Sequence, residues 1–373
     1  MLTPFDDYPI HQTPEPIAHT VGGDRNHYDR YFFNGYDRDG GCFFAAALGV
    51  YPNRQVIDAA FSVVLDGVQH AVFASGRAPL DRGVTRVGPL AVEVVEPLRM
   101  LRVTADAASL GIEADVTFTA RTPAIEEPRA RALDGPILRS DYTRLTQWGA
   151  WRGTVRAGGT AFAIEPDRVL GSRDRSWGVR GVGEPPGGAP ARTPRQFFWL
   201  WAPLNFDDCC THLALTDDAQ GRHLYQSACV VPLLGEGAPA FGQPEAVEHM
   251  RDVDATVEWE PGTRRARHAT LTLIPWRGER EVIELAPLLT FQMMGIGYLH
   301  PEWGHGRWHG EEATGSAAWT LAELDPLDTP HLHIQQVVRA RRGGQDGIGV
   351  LEQLAIGPHA PSGFSGLRDG APA

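Results

Sequence analysis

Ile112-Glu-Ala-Asp-Val-Thr-Phe-Thr119 alternates without a break: Ile112, Ala114, Val116 and Phe118 fall on one side of an extended chain, and Glu113, Asp115, Thr117 and Thr119 on the other. Successive side chains of a β-strand point to opposite faces, so this stretch predicts a strand with one face in a core and the other in water. The rhythm returns in the second half of the chain. Ala255, Val257 and Trp259 alternate with Thr256 and Glu258, and Ala269, Leu271 and Leu273 with Thr270 and Thr272, before the turn-like Pro275-Trp-Arg-Gly278. Further strands are expected over 43–50, 56–64, 91–96, 98–105, 196–202, 225–231, 280–285, 318–324 and 332–338, set off by Gly, Pro, Asn or Asp clusters. No long window carries a helical stripe. The expectation is an all-β chain of antiparallel barrels or sandwiches with few, short helices.

With 373 residues the chain is long enough for two domains with buried cores. Its 42 Gly and 29 Pro run throughout, as many turns require. They are densest in Gly181–Pro194 (GVGEPPGGAPARTP), which reads as an exposed loop between an N-terminal unit, residues 1–185, and a C-terminal unit, residues 195–373. Gly235–Pro244 reads as a long hairpin loop and Gly357–Ala373 as a frayed tail.

Lys and Arg number 34 against 46 Asp and Glu, a net charge of −12 that repels nucleic-acid phosphates and anionic lipid; neither is expected as a partner. Met1-Leu-Thr-Pro-Phe-Asp-Asp-Tyr8 has no basic stretch ahead of an apolar one, and no apolar run approaches the ~18 residues of a membrane span. A cytoplasmic protein without stable membrane insertion is expected. Cys42, Cys209, Cys210 and Cys229 make no disulfide framework and are expected as reduced, mostly buried thiols.

Three segments concentrate chemistry. Gly171-Ser-Arg-Asp-Arg-Ser-Trp-Gly178 sets Arg173, Asp174 and Arg175 beside the indole of Trp177, either as a carboxylate placed for reaction or as a structural Arg–Asp pair at a barrel rim. Gly295-Ile-Gly-Tyr-Leu-His-Pro-Glu-Trp-Gly-His-Gly-Arg-Trp-His-Gly310 gathers Tyr298, His300, Glu302, Trp303, His305, Trp308 and His309, more polar and aromatic character than loop packing needs. His305 and His309 stand four apart and His331 and His333 form another near pair, so a metal is the alternative there. Gly306, Gly310 and Pro301 argue against the helix that would align such histidines, and no metal is assigned. Gln196-Phe-Phe-Trp-Leu-Trp201 places Trp199 and Trp201 on one strand face with Phe197, as a core stripe or as the wall of an apolar pocket. No GxSxG elbow or phosphate loop is present, which leaves the common nucleophile classes unsupported.

Taken in order, Tyr31-Phe-Phe-Asn-Gly35, Leu48-Gly-Val-Tyr-Pro-Asn53, Arg86-Val-Gly-Pro-Leu90, Arg173-Asp-Arg-Ser-Trp-Gly178 and His300-Pro-Glu-Trp-Gly-His-Gly306 resemble the hydroxyneurosporene synthase (carotenoid hydratase) superfamily. The resemblance spans residues 25–355 and is nearest to the uncharacterised bacterial members; kievitone hydratase-like proteins and, more distantly, Diels–Alder cyclases belong to the same group. It implies two lipocalin-like antiparallel barrels or half-barrels packed together, with a ligand pocket at or near their junction. The group's Asp-x-x-Trp-Gly segment falls on Asp174 and Trp177, and Arg175 stands where many relatives carry His.

The implied chemistry is acid–base work on a C=C bond of a lipophilic small molecule, terpenoid, steroid-like, polyketide or aromatic, with no cofactor: a hydratase, isomerase or cyclase. Protonating carbon calls for a carboxylic acid whose pKa is raised by burial. Asp174 or Glu302 is expected as that acid; Arg173 beside Asp174 argues against a raised pKa there and keeps Glu302 in play. His305 or His309 is expected to position or activate water, and Trp177 and Trp303 to face developing cationic charge. Arg173, Trp199, Trp201, Tyr298 and Trp308 complete the expected binding wall. The alternative is a lipocalin-type carrier that holds its ligand unaltered.

Overall fold

The computed structural model describes residues 5, 8–182, 189, 195–241 and 246–372. Most of Gly181–Pro194 and the end of Gly235–Pro244, read as loops from sequence, lie outside the described residues. The first half of the chain forms β1 (His27–Asp37), β2 (Cys42–Tyr51), β3 (Val56–Leu65), β4 (Val68–Arg77), β5 (Arg86–Val87), β6 (Leu90–Glu96), β7 (Met100–Ala107), β8 (Ile112–Ala120), β9 (Ile125–Glu126), β10 (Ala130–Asp134), β11 (Ile137–Ala157), β12 (Thr160–Ile164) and β13 (Val169–Arg180). The second half forms β14 (Phe197–Trp201), β15 (Leu204–Asn205), β16 (Cys209–Asp217), β17 (His223–Pro232), β18 (Glu248–His249), β19 (Asp252–Trp259), β20 (Ala266–Ile274), β21 (Glu281–Gln292), β22 (Glu312–Thr320), β23 (His333–Arg342) and β24 (Gln345–Ile356). Among the described residues there is no α-helix, only short 3-10 turns, and no helix long and apolar enough to cross a membrane.

The quoted stretch behaves residue by residue as its alternation requires. In β8, Ile112, Ala114, Val116 and Phe118 are buried, while Glu113, Asp115, Thr117 and Thr119 are not. β1 and β2 differ because both of their faces are covered, so Phe43 to Leu48 are buried without alternation. The strand expected at 318–324 is displaced: the chain extends earlier, over Glu312–Thr320, and Leu321–Glu323 turns as a 3-10 element.

The first sheet has the order β22-β4-β3-β2-β1-β13-β11-β8-β7-β6-β5, with β9, β10 and β12 also on β11; it curls until β5 and β6 meet β3 and β4 in a nearly closed barrel. The second has the order β18-β17-β16-β14-β24-β23-β21-β20-β19 and lies against the first as an open half-barrel, with antiparallel ladders in both. The architecture is thus two lipocalin-like antiparallel units packed together. β22 comes from the second half of the chain yet pairs with β4 in the first sheet, Glu312 opposite Gly76 through Thr320 opposite Val68.

Two cores result. Phe33, Phe44, Phe61, Phe118 and Trp151 fill the barrel interior. Gly171 has no room for a side chain there: a Cβ would lie 2.5 Å from the Trp151 indole nitrogen, which instead donates to the Asn34 carbonyl at 2.8 Å. Between the sheets, Phe32, Tyr36, Phe43, Trp199, Trp201, Phe291 and Met293 form a seam. Polar pairs cross it: Asn34 Nδ2 to Gln335 Oε1 at 3.1 Å, Asn205 Nδ2 to the Tyr36 hydroxyl at 2.8 Å, and Gln69 Nε2 to the Gln292 carbonyl at 2.8 Å. All four cysteines are buried free thiols.

The tail beyond Gly357 is not frayed. The guanidinium of Arg264 donates to the carbonyls of Ala355, Gly357, Gly366 and Asp369, and Phe364 and Ala371 are buried in the second core. A Gly- and Pro-rich composition predicts fraying only where no distant side chain collects the freed carbonyls, and here one arginine does.

Candidate active site

Strand parity decides which charges reach the seam. On β13 Asp174, Ser176 and Arg180 face the second sheet, and on β11 Tyr142 and Arg144 do so. The second sheet answers with Trp199 and Trp201 of β14, His333 of β23 and Glu352 of β24, and the turn after β21 adds Tyr298 and Leu299. Together they line a partly open cavity of about 170 Å³. Leu299 sits at φ 54, in the left-handed region that costs a non-glycine residue energy, and this holds the turn that presents Tyr298.

Two carboxyls face this cavity in opposite environments. Asp174 has no side-chain hydrogen bond among the described residues; burial raises its pKa from 3.8 to about 6, against the pull of Arg144 and Arg30. Burial also works to raise Glu352, but three donors reverse it: His333 Nε2 at 2.8 Å, Gln335 Nε2 at 2.6 Å and Trp199 Nε1 at 2.9 Å hold it below the usual carboxylate range. One carboxyl exchanges its proton near neutrality while the other stays an anion, the separation that acid–base pairs need.

The cations are held differently from one another. Arg144 forms a two-pronged pair with Glu127, Nε to Oε1 at 2.9 Å and Nη2 to Oε2, and lies 4.9 Å above the Trp199 ring. Glu127 is fully buried, which would raise its pKa, but Arg144 and His212 drive it far below the usual range; the Thr146 and Tyr225 hydroxyls also donate to it, at 2.6 and 3.0 Å. Arg180 stacks on Tyr28 and Tyr298 at 4.7 and 5.5 Å. Arg30 of β1, only 2% exposed, donates to the Ile296 carbonyl at 3.2 Å and lies 4.6 Å from the Tyr298 ring centroid. Neither Arg180 nor Arg30 has a carboxylate at salt-bridge distance among the described residues.

Of the residues singled out in the sequence, Asp174, Trp199, Trp201 and Tyr298 line this cavity. Arg173 does not restrain Asp174 by contact, because neighbours on a strand point to opposite faces; its Nε donates to Gln147 Oε1 at 2.8 Å. This removes the expected obstacle to a raised Asp174 pKa. Trp177 lies on that other face, 40% exposed, and Arg175 pairs there with Asp29. Glu302 is exposed on the surface. Trp308 is 47% exposed beneath Arg77.

Trp303 is stacked between Phe73 and His309, so its ring faces are covered, and Gly315 leaves the space its indole occupies. His305 stands behind Tyr298, ring centroids 4.4 Å apart, its Nε2 donating to the Ile296 carbonyl at 2.9 Å; burial, then Arg30 and Arg180, push its pKa well below the usual value. His305 and His309 share a void of about 10 Å³, room for about one water, with Asp58. Burial raises Asp58 to about 6 although it accepts from the Gly306 N–H at 2.6 Å and the Tyr51 hydroxyl at 3.2 Å. Among the described residues no three His, Cys, Asp or Glu side chains converge as a metal would require.

A larger open groove, about 810 Å³, runs over β5–β7, where Arg102 is already paired with Asp115 at the surface. The smaller seam cavity is the stronger candidate because buried, mutually shifted groups converge on it. Sequence reasoning missed Arg30, Glu127, Tyr142, Arg144 and Glu352, and it met His333 only as half of a possible metal pair with His331 and Arg180 only as a possible partner of Asp174. One signal was available: Glu352 is a lone carboxylate inside the apolar run Val350-Leu-Glu-Gln-Leu-Ala-Ile356.

Solved structures share this fold at low identity. NE1406 of Nitrosomonas europaea, an AttH candidate, matches with a TM-score of 0.54 at 12% identity, over 88% of this chain and 92% of its own. Kievitone hydratase from Nectria haematococca matches at 0.51 and 12% identity, over 87% of this chain and 88% of its own. These likenesses show the fold alone. The hydratase resemblance expected from sequence is therefore met in architecture, through kievitone hydratase, while no curated protein matches by sequence. The sequence profile of a family of unknown function (DUF8625) matches residues 2–365.

Proposed function

For a chain that belongs to the DUF8625 family, which brings no activity with it, we propose an acid–base hydratase, isomerase or cyclase that works on a C=C bond of a lipophilic small molecule in the seam cavity. The observation that carries the reading is the pair of cavity carboxyls with pKa values driven apart, Asp174 upward and Glu352 downward. The shared fold with a protein named as a hydratase supports it.

In the hydration form, the Asp174 carboxyl gives its proton to one alkene carbon and a water oxygen bonds to the other. Glu352, steadied by His333, takes the proton that this water loses, so that one water is added in total. Isomerisation uses the first proton transfer and returns a different proton from carbon. Trp199, Trp201 and Leu354 supply apolar lining for the lipophilic part of the substrate. The acid form of Asp174 is present below about pH 6, so the rate of the protonation step falls as the pH rises through that value.

The test is incubation with terpenoid, steroid-like and aromatic alkenes in heavy water, with products read by mass spectrometry. Deuterium at carbon is the expected result, reduced about 10²–10⁴-fold in Asp174→Asn. Undiminished labelling in that variant removes the acid–base scheme. A ligand that binds and returns unlabelled identifies the alternative, a carrier.

A further inference from the structure

The charges around the cavity are not balanced by contact. Glu127 compensates Arg144, and Glu352 accepts hydrogen bonds from His333, Gln335 and Trp199. Arg180 lines the cavity against the rings of Tyr28 and Tyr298 and within hydrogen-bond reach of the Tyr298 side chain, with no carboxylate at salt-bridge distance among the described residues, and Arg30 beyond Tyr298 has Nε and Nη1 buried with no partner. Buried guanidinium groups are normally matched by carboxylates because desolvating an unmatched charge is costly. A fixed guanidinium lining a cavity, as Arg180 does, is an arrangement that stabilises negative charge on oxygen.

The same cation opposes a carbocation. Positive charge growing on carbon beside Arg180 is repelled, and the Trp199 ring face is already occupied by Arg144. Size narrows the occupant further. A cavity of about 170 Å³ compares with the ~150 Å³ apolar cavity that takes up benzene, and falls below the ~300–1,000 Å³ of sites for drug-sized ligands. It has room for about one ring.

We propose that this cavity selects its ligand through one ring-sized unsaturated unit bearing an acidic oxygen, a phenolate, enolate or carboxylate, seated against Arg180 beside Tyr298. The inference rests on the cavity being the binding site, as proposed above, and not on any reaction there. For a conjugated carbonyl the electron flow balances: the water oxygen bonds to the β-carbon, the π electrons move to the carbonyl oxygen, and Arg180 holds the enolate. Asp174 then protonates the α-carbon while Glu352 takes the proton from water.

The experiment is calorimetric binding of four probes to the full chain: benzoate and ionised 4-nitrophenol as anions, benzamide and nitrobenzene as their neutral counterparts. At least one anion is expected to bind about tenfold or more tightly than its counterpart, the size of a charged hydrogen bond. Which anion does so names the oxygen. Arg180→Gln is expected to abolish the preference and leave the neutral probes unchanged, and Arg180→Lys to retain part of it. Equal binding of anion and counterpart in the unaltered protein overturns the inference, as does a preference that survives Arg180→Gln. Failure of all four probes to bind overturns it too, since the cavity admits each. These outcomes are separate from labelling in Asp174→Asn, which tests the chemistry alone.

Discussion

On one face of β1 and β13 side chains fill a barrel, and on the other they line a charged cavity. Facing inward, Phe33 meets Phe118 and Trp151 edge-on at 6.3 and 5.8 Å, and Phe44 packs on Phe61 and Trp151. Facing the second sheet, the same two strands present Arg30, Phe32, Asp174 and Arg180. Small barrels of this kind either fill their interior or hold a ligand in it. Here the interior is filled, and the cavity with charged groups lies at the seam, where we place the binding space. The barrel face serves stability; the seam face carries the proposed chemistry, at some expense of stability.

Trp151→Ala tests the barrel half of that contrast most severely. It empties a fully buried site and removes the bond to Asn34, so a loss of about 3–5 kcal/mol is expected in chemical denaturation. A loss under about 1 kcal/mol would mean that this interior is not the packed core. Glu127→Ala comes next, because it strands the Arg144 cation in the seam and frees the groups that Glu127 collects. About 3 kcal/mol of stability is expected to go, and affinity for cavity probes should fall with it, since Arg144 is held over Trp199 by this pair. Loss of stability with untouched affinity would separate Glu127 from the site.

Asp174→Asn is expected to shift stability the other way. The unfolded carboxyl titrates near its ordinary 3.8 and the folded one near 6. Ionisation therefore opposes folding: the penalty is absent below 3.8, grows between the two values and is complete above 6. Removing the charge should stabilise the fold at pH 8 by on the order of 2 kcal/mol and leave it unchanged at pH 3. Paired urea titrations at the two pH values read this directly, and equal stability at pH 8 would contradict the burial of Asp174. The smallest effect belongs to Glu302→Gln on the exposed loop, expected within about 0.5 kcal/mol and without change in probe affinity. A large loss of affinity there would place the site on the wrong side of Tyr298.

The all-β architecture was legible because its cause is local. Alternation in 112–119 and 269–273 reflects the two-residue period of an extended chain, which any single strand displays. Asp174, Trp199, Trp201 and Tyr298 could be singled out because each stands in a segment dense in unusual side chains. The density of 298–309 also misled, since Trp303 and His309 are packed against Phe73 and each other and Glu302 faces water. Arg173 misled for a related reason: adjacency along a strand is separation across it.

What the sequence determined by itself was therefore the period of each strand, the turns between them and the low helix content, all set by short-range sterics and patterning. Only the tertiary structure decided that Asp174 shares a cavity with His333 and Glu352, since those groups meet through sheet packing over more than a hundred and fifty residues of chain. It also decided their charge states, because desolvation, the largest influence on both carboxyls, exists only once the two sheets close over them.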